Sequence, residues 1–386
     1  MRRGLVPAGL VALLVTATGR LVFDSGGTPL QAAALTATEA RSPAASAAAA
    51  PLREATVAFG GDVRIHSDVW NTAAVTGGYD FSPMLAPIAA RVANVDLAIC
   101  HLEVTLARPS DTLTGYPRSG APRELARDLA EAGFDGCSLA GDHALDFGEA
   151  GVAATIEGLD AAGLAHTGTA RTTAERGPAL YDAGGIRVAN LSYTSGTATP
   201  AAHGSLVDRI DPALILADAH AARERGAELV IVSLHWGEEY ERDVVAAQRA
   251  VADALASDEG AVDLVVGHRA HVVQPISKVG SMWVVWGMGN LLSDRSPQCC
   301  TTDTSDGLIV TVTIGDTAPG GPVGVTGMAF TPTLNERDTF RVLPAEAELA
   351  AQADAALTDD LVASLERTTA RVLSLGGTEL GVTRSP

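Results

Sequence analysis

The stretch DLVVGHRAHVVQPISKVGSMWVVWGMGN, Asp263 to Asn290, decides how the rest of the chain is read. Its apolar run, residues 264–266, is too short for a helix and rich in Val, so it reads as a buried strand. Gly267 closes the run and His268-Arg269-Ala270-His271 follows. That spacing predicts two imidazoles in a loop at the strand's carboxyl edge, where both can turn toward one ion.

The same scheme recurs along the chain. A strand at 56–59 runs into Gly60-Gly61-Asp62, and one at 96–100 into His101-Leu102-Glu103. A strand at 134–139 leads to Asp142-His143, and the apolar run 229–234 delivers His235. Helical spacing separates these units at 82–93, 122–132, 149–162, 212–225 and 244–256, with Pro122 inside one helix start and Gly133 just past its end. Strands alternating with helices every 30 to 40 residues indicate an α/β fold with a largely parallel sheet. Residues 179–182 and 186–194 read as a hairpin across Gly184-Gly185, 308–314 and 323–330 as further strands, and 344–375 as a helical tail.

Composition narrows the function. A chain of 386 residues that is 47% hydrophobic can bury a substantial core. The formal charge is −19, and residues 1–50 carry four Arg against two acids, so the remainder is more acidic still. Such a surface argues against nucleic acid and anionic lipid as partners and favours metals or cations. Arg2-Arg3 precede a charge-free run from Gly4 to Gly19. At about 1.5 Å per residue this run covers ~24 Å of the ~30 Å hydrocarbon layer, which suits a secretory signal better than a stable span, with retention as a membrane anchor the alternative. The expected organisation is a signal or anchor at 1–19, an Ala/Thr/Ser-rich linker at 20–53, a domain at 54–340 and a helical tail at 341–386, with the body outside the cytoplasm. Of the four cysteines, Cys100 and Cys137 can bridge if their strands are neighbours, or stay as buried thiols. Cys299 and Cys300 are adjacent and are expected not to bridge easily.

In a parallel sheet the carboxyl edges share one side, so Asp62, Glu103, Asp142, His143, His235, His268 and His271 are expected in one crevice. Mixed carboxylate and imidazole ligands suit a divalent transition metal such as zinc, manganese or iron rather than calcium. Six motifs carry a family resemblance: GGDV at 60–63, LE at 102–103, DHALDFG at 142–148, SLHWGEEY at 233–240, GHRAHVVQP at 267–275 and GMGN at 287–290. In this order they resemble the CapA-type poly-γ-glutamate capsule synthesis proteins, of the calcineurin-like metallophosphoesterase superfamily. The resemblance covers about residues 55 to 340.

The resemblance implies a layered α/β/β/α sandwich and one or two metal ions. Asp62 and Glu103 would hold or bridge them, Asp142, His235 and His268 would bind one, and His271 the other. His143 would face the substrate as the catalytic proton donor. Three departures stand out. Asp142 takes the place of the family's usual Asn, His101 the place of another Asn, and Arg64 that of a His ligand two residues after the first Asp. His101 would either add a ligand or point away. The implied role is in making, exporting or anchoring an anionic cell-surface polymer, with that polymer or its synthesis machinery as partner. The alternatives are a metal-dependent phosphoesterase acting on a small substrate, and a non-catalytic polymer-binding scaffold.

Overall fold

The long strands are apolar at nearly every position because both of their faces are covered. In Leu229–His235, Leu229 and Ile231 enter one core while Val230, Val232 and Leu234 enter another, following the alternation of a pleated strand. Glu54–Arg64 behaves likewise, with Val57 and Phe59 on one side and Ala58 and Val63 on the other. These strands belong to a computed structural model that describes residues 51–108, 110–198, 206–352 and 354–386. The expected signal or anchor, and the linker up to residue 50, lie outside the described residues.

Two sheets face one another. The first runs in the order Val342–Pro344, Val323–Asn335, Asp306–Asp316, Glu54–Arg64, Leu97–Leu102, Gly136–Ser138 and Ala165–Thr167. The second runs Ile276–Val279, Met282–Val285, Leu264–His268, Leu229–His235, Ile186–Thr194 and Ala179–Ala183. Phe59, Ile99, Ile231, Val266 and Val310 share the core between them. Helices Ser82–Ala93, Glu124–Ala132 and Gly148–Ala162 cover the first sheet through Leu85, Ile88, Leu129 and Ile156. Helices Pro212–Glu224 and Ala246–Ala256 cover the second through Ile215, Ala219, Ala252 and Leu255. The result is the expected α/β/β/α sandwich, and burial of each such Leu or Ile side chain stabilises it by roughly 1.5–3 kcal/mol.

Parallel pairing sets the site. Asp62 lies opposite His101, and His235 opposite His268, so ligand-type side chains from neighbouring strands arrive level with one another. Cys100 lies opposite Cys137 on adjacent strands, and the two are disulfide-bonded.

Some local expectations need correction. Asp62 is not at a strand end but inside Glu54–Arg64. The pair Gly60-Gly61 does not stop the strand; it lets a neighbouring backbone approach. A Cβ on Gly61 would stand 2.4 Å from Gly289 O, and Asp62 N donates to that same oxygen at 2.9 Å. The pairing register slips on both sides of Asp62, which turns its carboxylate into the crevice. His268 likewise closes its strand instead of starting a loop. The hairpin Ile276–Val279/Met282–Val285 and the strand Asn290–Ser293 were not anticipated. Cys299 and Cys300, expected not to bridge, are bonded; a turn in which both amides donate to Ser296 O brings the sulfurs together. The tail is helical at Ala345–Ala351 and Thr358–Leu373, and Asp306 anchors it by accepting from Arg367 and Ser364.

Candidate metal centre

All seven expected residues are buried around one crevice. Asp62 is its base. Its Oδ1 lies 2.7 Å from His268 Nδ1, and its Oδ2 lies 3.1 Å from His271 Nδ1 and accepts from the Arg269 amide at 3.1 Å. Burial alone would push this carboxyl up, but the hydrogen bonds and charge of His268 and His271 hold it well below the usual carboxylate range. His271 is raised: burial lowers it, but Glu103 and Asp62 outweigh that.

Gly267 allows His268 to reach this position. A Cβ there would fall 2.0 Å from Trp286 O, so no larger residue fits between the two strands. Past it the backbone is strained, since Arg269 and His271 adopt φ of 86° and 54° without being glycine. Strain of that kind, of order 1–3 kcal/mol per residue, persists where surrounding contacts enforce it and is concentrated at functional sites.

Glu103 and Asp142 form the opposite wall. Arg64 Nη1 donates to Glu103 Oε1 at 2.5 Å and stands 4.0 Å from Asp142 Oδ1. Burial works against the Arg64 charge, but Glu103 and Asp142 more than restore it. Asp142 Oδ2 accepts from Arg269 Nη1 at 2.8 Å, while its Oδ1 lies 3.4 Å from His235 Nε2. Burial raises Asp142, but His235, His143 and Arg64 together hold it far below the ordinary value.

His101, which the sequence left either adding a ligand or pointing away, points in. Its Nε2 lies 3.1 Å from His235 Nδ1, its Nδ1 lies 2.8 Å from Ser138 Oγ, and its ring stacks on His268 at 4.0 Å. Burial, helped by His268 and His235, lowers it well below its usual value, so it sits here as a neutral ring. His143 is held by a residue that had no assigned role: Asp146 Oδ2 lies 2.6 Å from its Nδ1 and also accepts from the Ser119 amide at 2.7 Å. Asp142 is farther from that ring, at 3.6 Å. Asn290 supports the rear, bonding His271 Nδ1 through its Oδ1 at 3.1 Å and donating to Thr304 O at 2.8 Å.

The donor set fits a divalent transition metal. Four overlapping groups drawn from Asp62, His101, Glu103, Asp142, His143, His235, His268 and His271 each bring ligand atoms within 4.8 Å of one another. Among the described residues, Glu103 Oε2, Asp142 Oδ1 and His235 Nε2 are buried and lack a hydrogen-bond partner. Unpaired buried acceptors are costly in a folded protein, and cation binding offsets that cost. The Asp142 Oδ1 to His235 Nε2 separation of 3.4 Å is what two ligands ~2.0–2.2 Å from one tetrahedral ion would show.

Residues 56–295 match the family model described as bacterial capsule synthesis protein PGA_cap. The chain belongs to this family. This PGA_cap chain is 32% identical over 199 residues to the capsule biosynthesis protein CapA of Bacillus anthracis, covering 49% of this chain and 46% of that one. It is 28% identical over 184 residues to the PGA biosynthesis protein CapA of Bacillus subtilis (strain 168), covering 45% and 46%. A "probable polyglutamine synthesis accessory protein" of Mycobacterium tuberculosis matches at 29% over 172 residues, covering 41% and 45%. The chain thus spans about half the length of the curated relatives it matches. Among solved structures, the calcineurin-like phosphoesterase YfkN from Bacillus subtilis aligns with a TM-score of 0.49 and 12% identity, over 83% of this chain and 100% of that chain.

Proposed function

We propose that this PGA_cap protein acts outside the cytoplasm in the synthesis, export or anchoring of an anionic cell-surface polymer of the poly-γ-glutamate kind, through a site that holds a divalent transition metal. The family match supports the polymer role, and the apolar run from Gly4 to Gly19 supports export. The observation that carries the site is the pair of unpaired ligand atoms Asp142 Oδ1 and His235 Nε2, 3.4 Å apart, with Glu103 grouped within ligand reach of each. Manganese, zinc and iron all suit that donor set.

Bound there, such an ion would polarise an acyl or phosphoryl oxygen and acidify a coordinated water. The chain's own residues supply the rest. Asp62 orients His268 and His271, Ser138 orients His101, and Asn290 supports His271. His143, fixed through Nδ1 by Asp146, keeps Nε2 beside Asp142, where it can give a proton to a leaving group. Arg269, its side chain 23% exposed, presents a cation at the mouth that an incoming carboxylate can meet.

The fixed His143–Asp146 pair also favours a second reading, a metal-dependent hydrolase of small phosphoesters. One experiment addresses both. Metal-loaded wild type and His143→Ala are incubated with poly-γ-glutamate and with an activated phosphodiester, and cleavage and polymer retention are measured. Chain cleavage or transfer on the polymer, lost in His143→Ala, supports the first reading, and phosphodiester turnover alone supports the second. Polymer retention without turnover leaves a binding scaffold, and neither retention nor turnover refutes the polymer role. Fractionation of cells tests location; intact Met1 in cytosolic material would refute export.

A further inference from the structure

The crevice has two corners that could attract a cation, and they differ in how fully the protein already satisfies them. At the first, Asp142 Oδ1 and His235 Nε2 are 3.4 Å apart and neither has a hydrogen-bond partner among the described residues. Glu103, one of whose oxygens is also unpaired, reaches this corner, as do His101 and His143. At the second, Asp62, Glu103 and His271 come together. There Asp62 is bonded by both His268 and His271. Glu103 Oε1, the atom 3.5 Å from His271 Nε2, is taken by the Arg64 guanidinium at 2.5 Å.

The Arg64 side chain is buried, and among the described residues no other cationic side chain approaches Glu103 as closely. An ion held between Glu103 Oε1 and His271 Nε2 would share its carboxylate oxygen with a fixed positive charge, in a site too dry to screen the repulsion. The guanidinium also cannot give up its charge by losing a proton.

We infer that Arg64 stands in for one cation of the crevice, so that the centre is mononuclear and its ion sits at the Glu103, Asp142 and His235 corner. This rests on the metal-centre reading above and deepens it. His101 then acquires a purpose: stacked on His268 and bonded to His235 Nδ1, it fixes the ring that presents Nε2 to the ion.

Stoichiometry tests this without any assay of activity. Untagged full-length protein is stripped with a chelator, titrated with manganese by calorimetry, and examined by electron paramagnetic resonance. The expected result is one equivalent per chain with the spectrum of an isolated ion. Arg64→His, which replaces the charge with a ligand, should take two equivalents and show the exchange-coupled spectrum of ions ~3.5–4 Å apart. Two equivalents in the wild type would overturn the inference and leave the metal centre standing, whereas none would overturn both. A folded Arg64→His variant that stays at one equivalent would show that Arg64 is not what excludes the second ion. If that variant does not fold, the wild-type count alone decides.

Discussion

Replacing Arg64 by Met removes the charge and keeps most of the side-chain volume. In the metal-free protein the loss falls on Glu103, whose Oε1 accepts from Arg64 at 2.5 Å and whose Oε2 is already unpaired. Both side chains are almost fully enclosed, at 3% and 0% exposure, so water cannot take over the guanidinium's part. Breaking one partner out of a buried ion pair costs about 3–5 kcal/mol, a large share of the roughly 5–15 kcal/mol that holds a typical domain folded. The cost lies in the stranded carboxylate, so Glu103→Gln added to Arg64→Met should recover most of it. Urea unfolding followed by the fluorescence of the four tryptophans, at pH 7 with chelator, reads the difference. Saturating manganese should narrow it, because beyond the ion that both proteins bind, the variant can take a second at the freed carboxylate, and a ligand at about 100 times its Kd adds roughly 2.7 kcal/mol. A single-variant loss below about 1 kcal/mol, or no recovery in the double variant, would refute the claim that Arg64 neutralises Glu103.

His143→Ala should retain metal content near wild type while losing whatever turnover is found, typically 10²- to 10⁴-fold, whereas His235→Ala should lose both; elemental analysis beside the rate assay separates the two roles. The depressed pKa of His101 means that the unfolded chain binds more protons, so the associated stability is present above pH ~6.5 and lost as pH falls, by up to about 1.4 kcal/mol per pH unit. From pH 7 to 5 the urea midpoint of metal-free wild type should therefore fall relative to that of His101→Asn, the opposing contributions of His271, Asp208 and Asp306 being common to both proteins. Reducing the Cys100–Cys137 bridge, which spans 37 positions, should cost about 2–4 kcal/mol in the same assay; no change would mean that the bridge does not form in solution.

The sandwich was legible because its strands carry their burial in their composition. A run such as Leu229 to Leu234 can be apolar throughout only where both faces are covered, and turn residues such as Gly133, at φ 110°, mark where the helices end. The ligand-type residues were legible because parallel strands carry their ends to one edge. Less visible was whatever depends on contact across the fold. Arg64 could be read as a departure from a motif, but its partner Glu103 lies 39 positions away and only the pairing of neighbouring strands brings them together. The role of Asp146 was hidden for a different reason. It lies three residues from His143 within a quoted motif, but which carboxylate orients the ring depends on the turn's geometry rather than on spacing. The short hairpin at Ile276–Val285 was missed because Val272 to Val285 mixes apolar, polar and turn residues without a sustained period.

The most direct test of the account is an anomalous difference map from crystals grown with manganese. The account predicts a peak bound by His235 Nε2 and Asp142 Oδ1, with Glu103 beside it. A crevice that remains without anomalous density at saturating manganese, with these three side chains placed as described here, would contradict it.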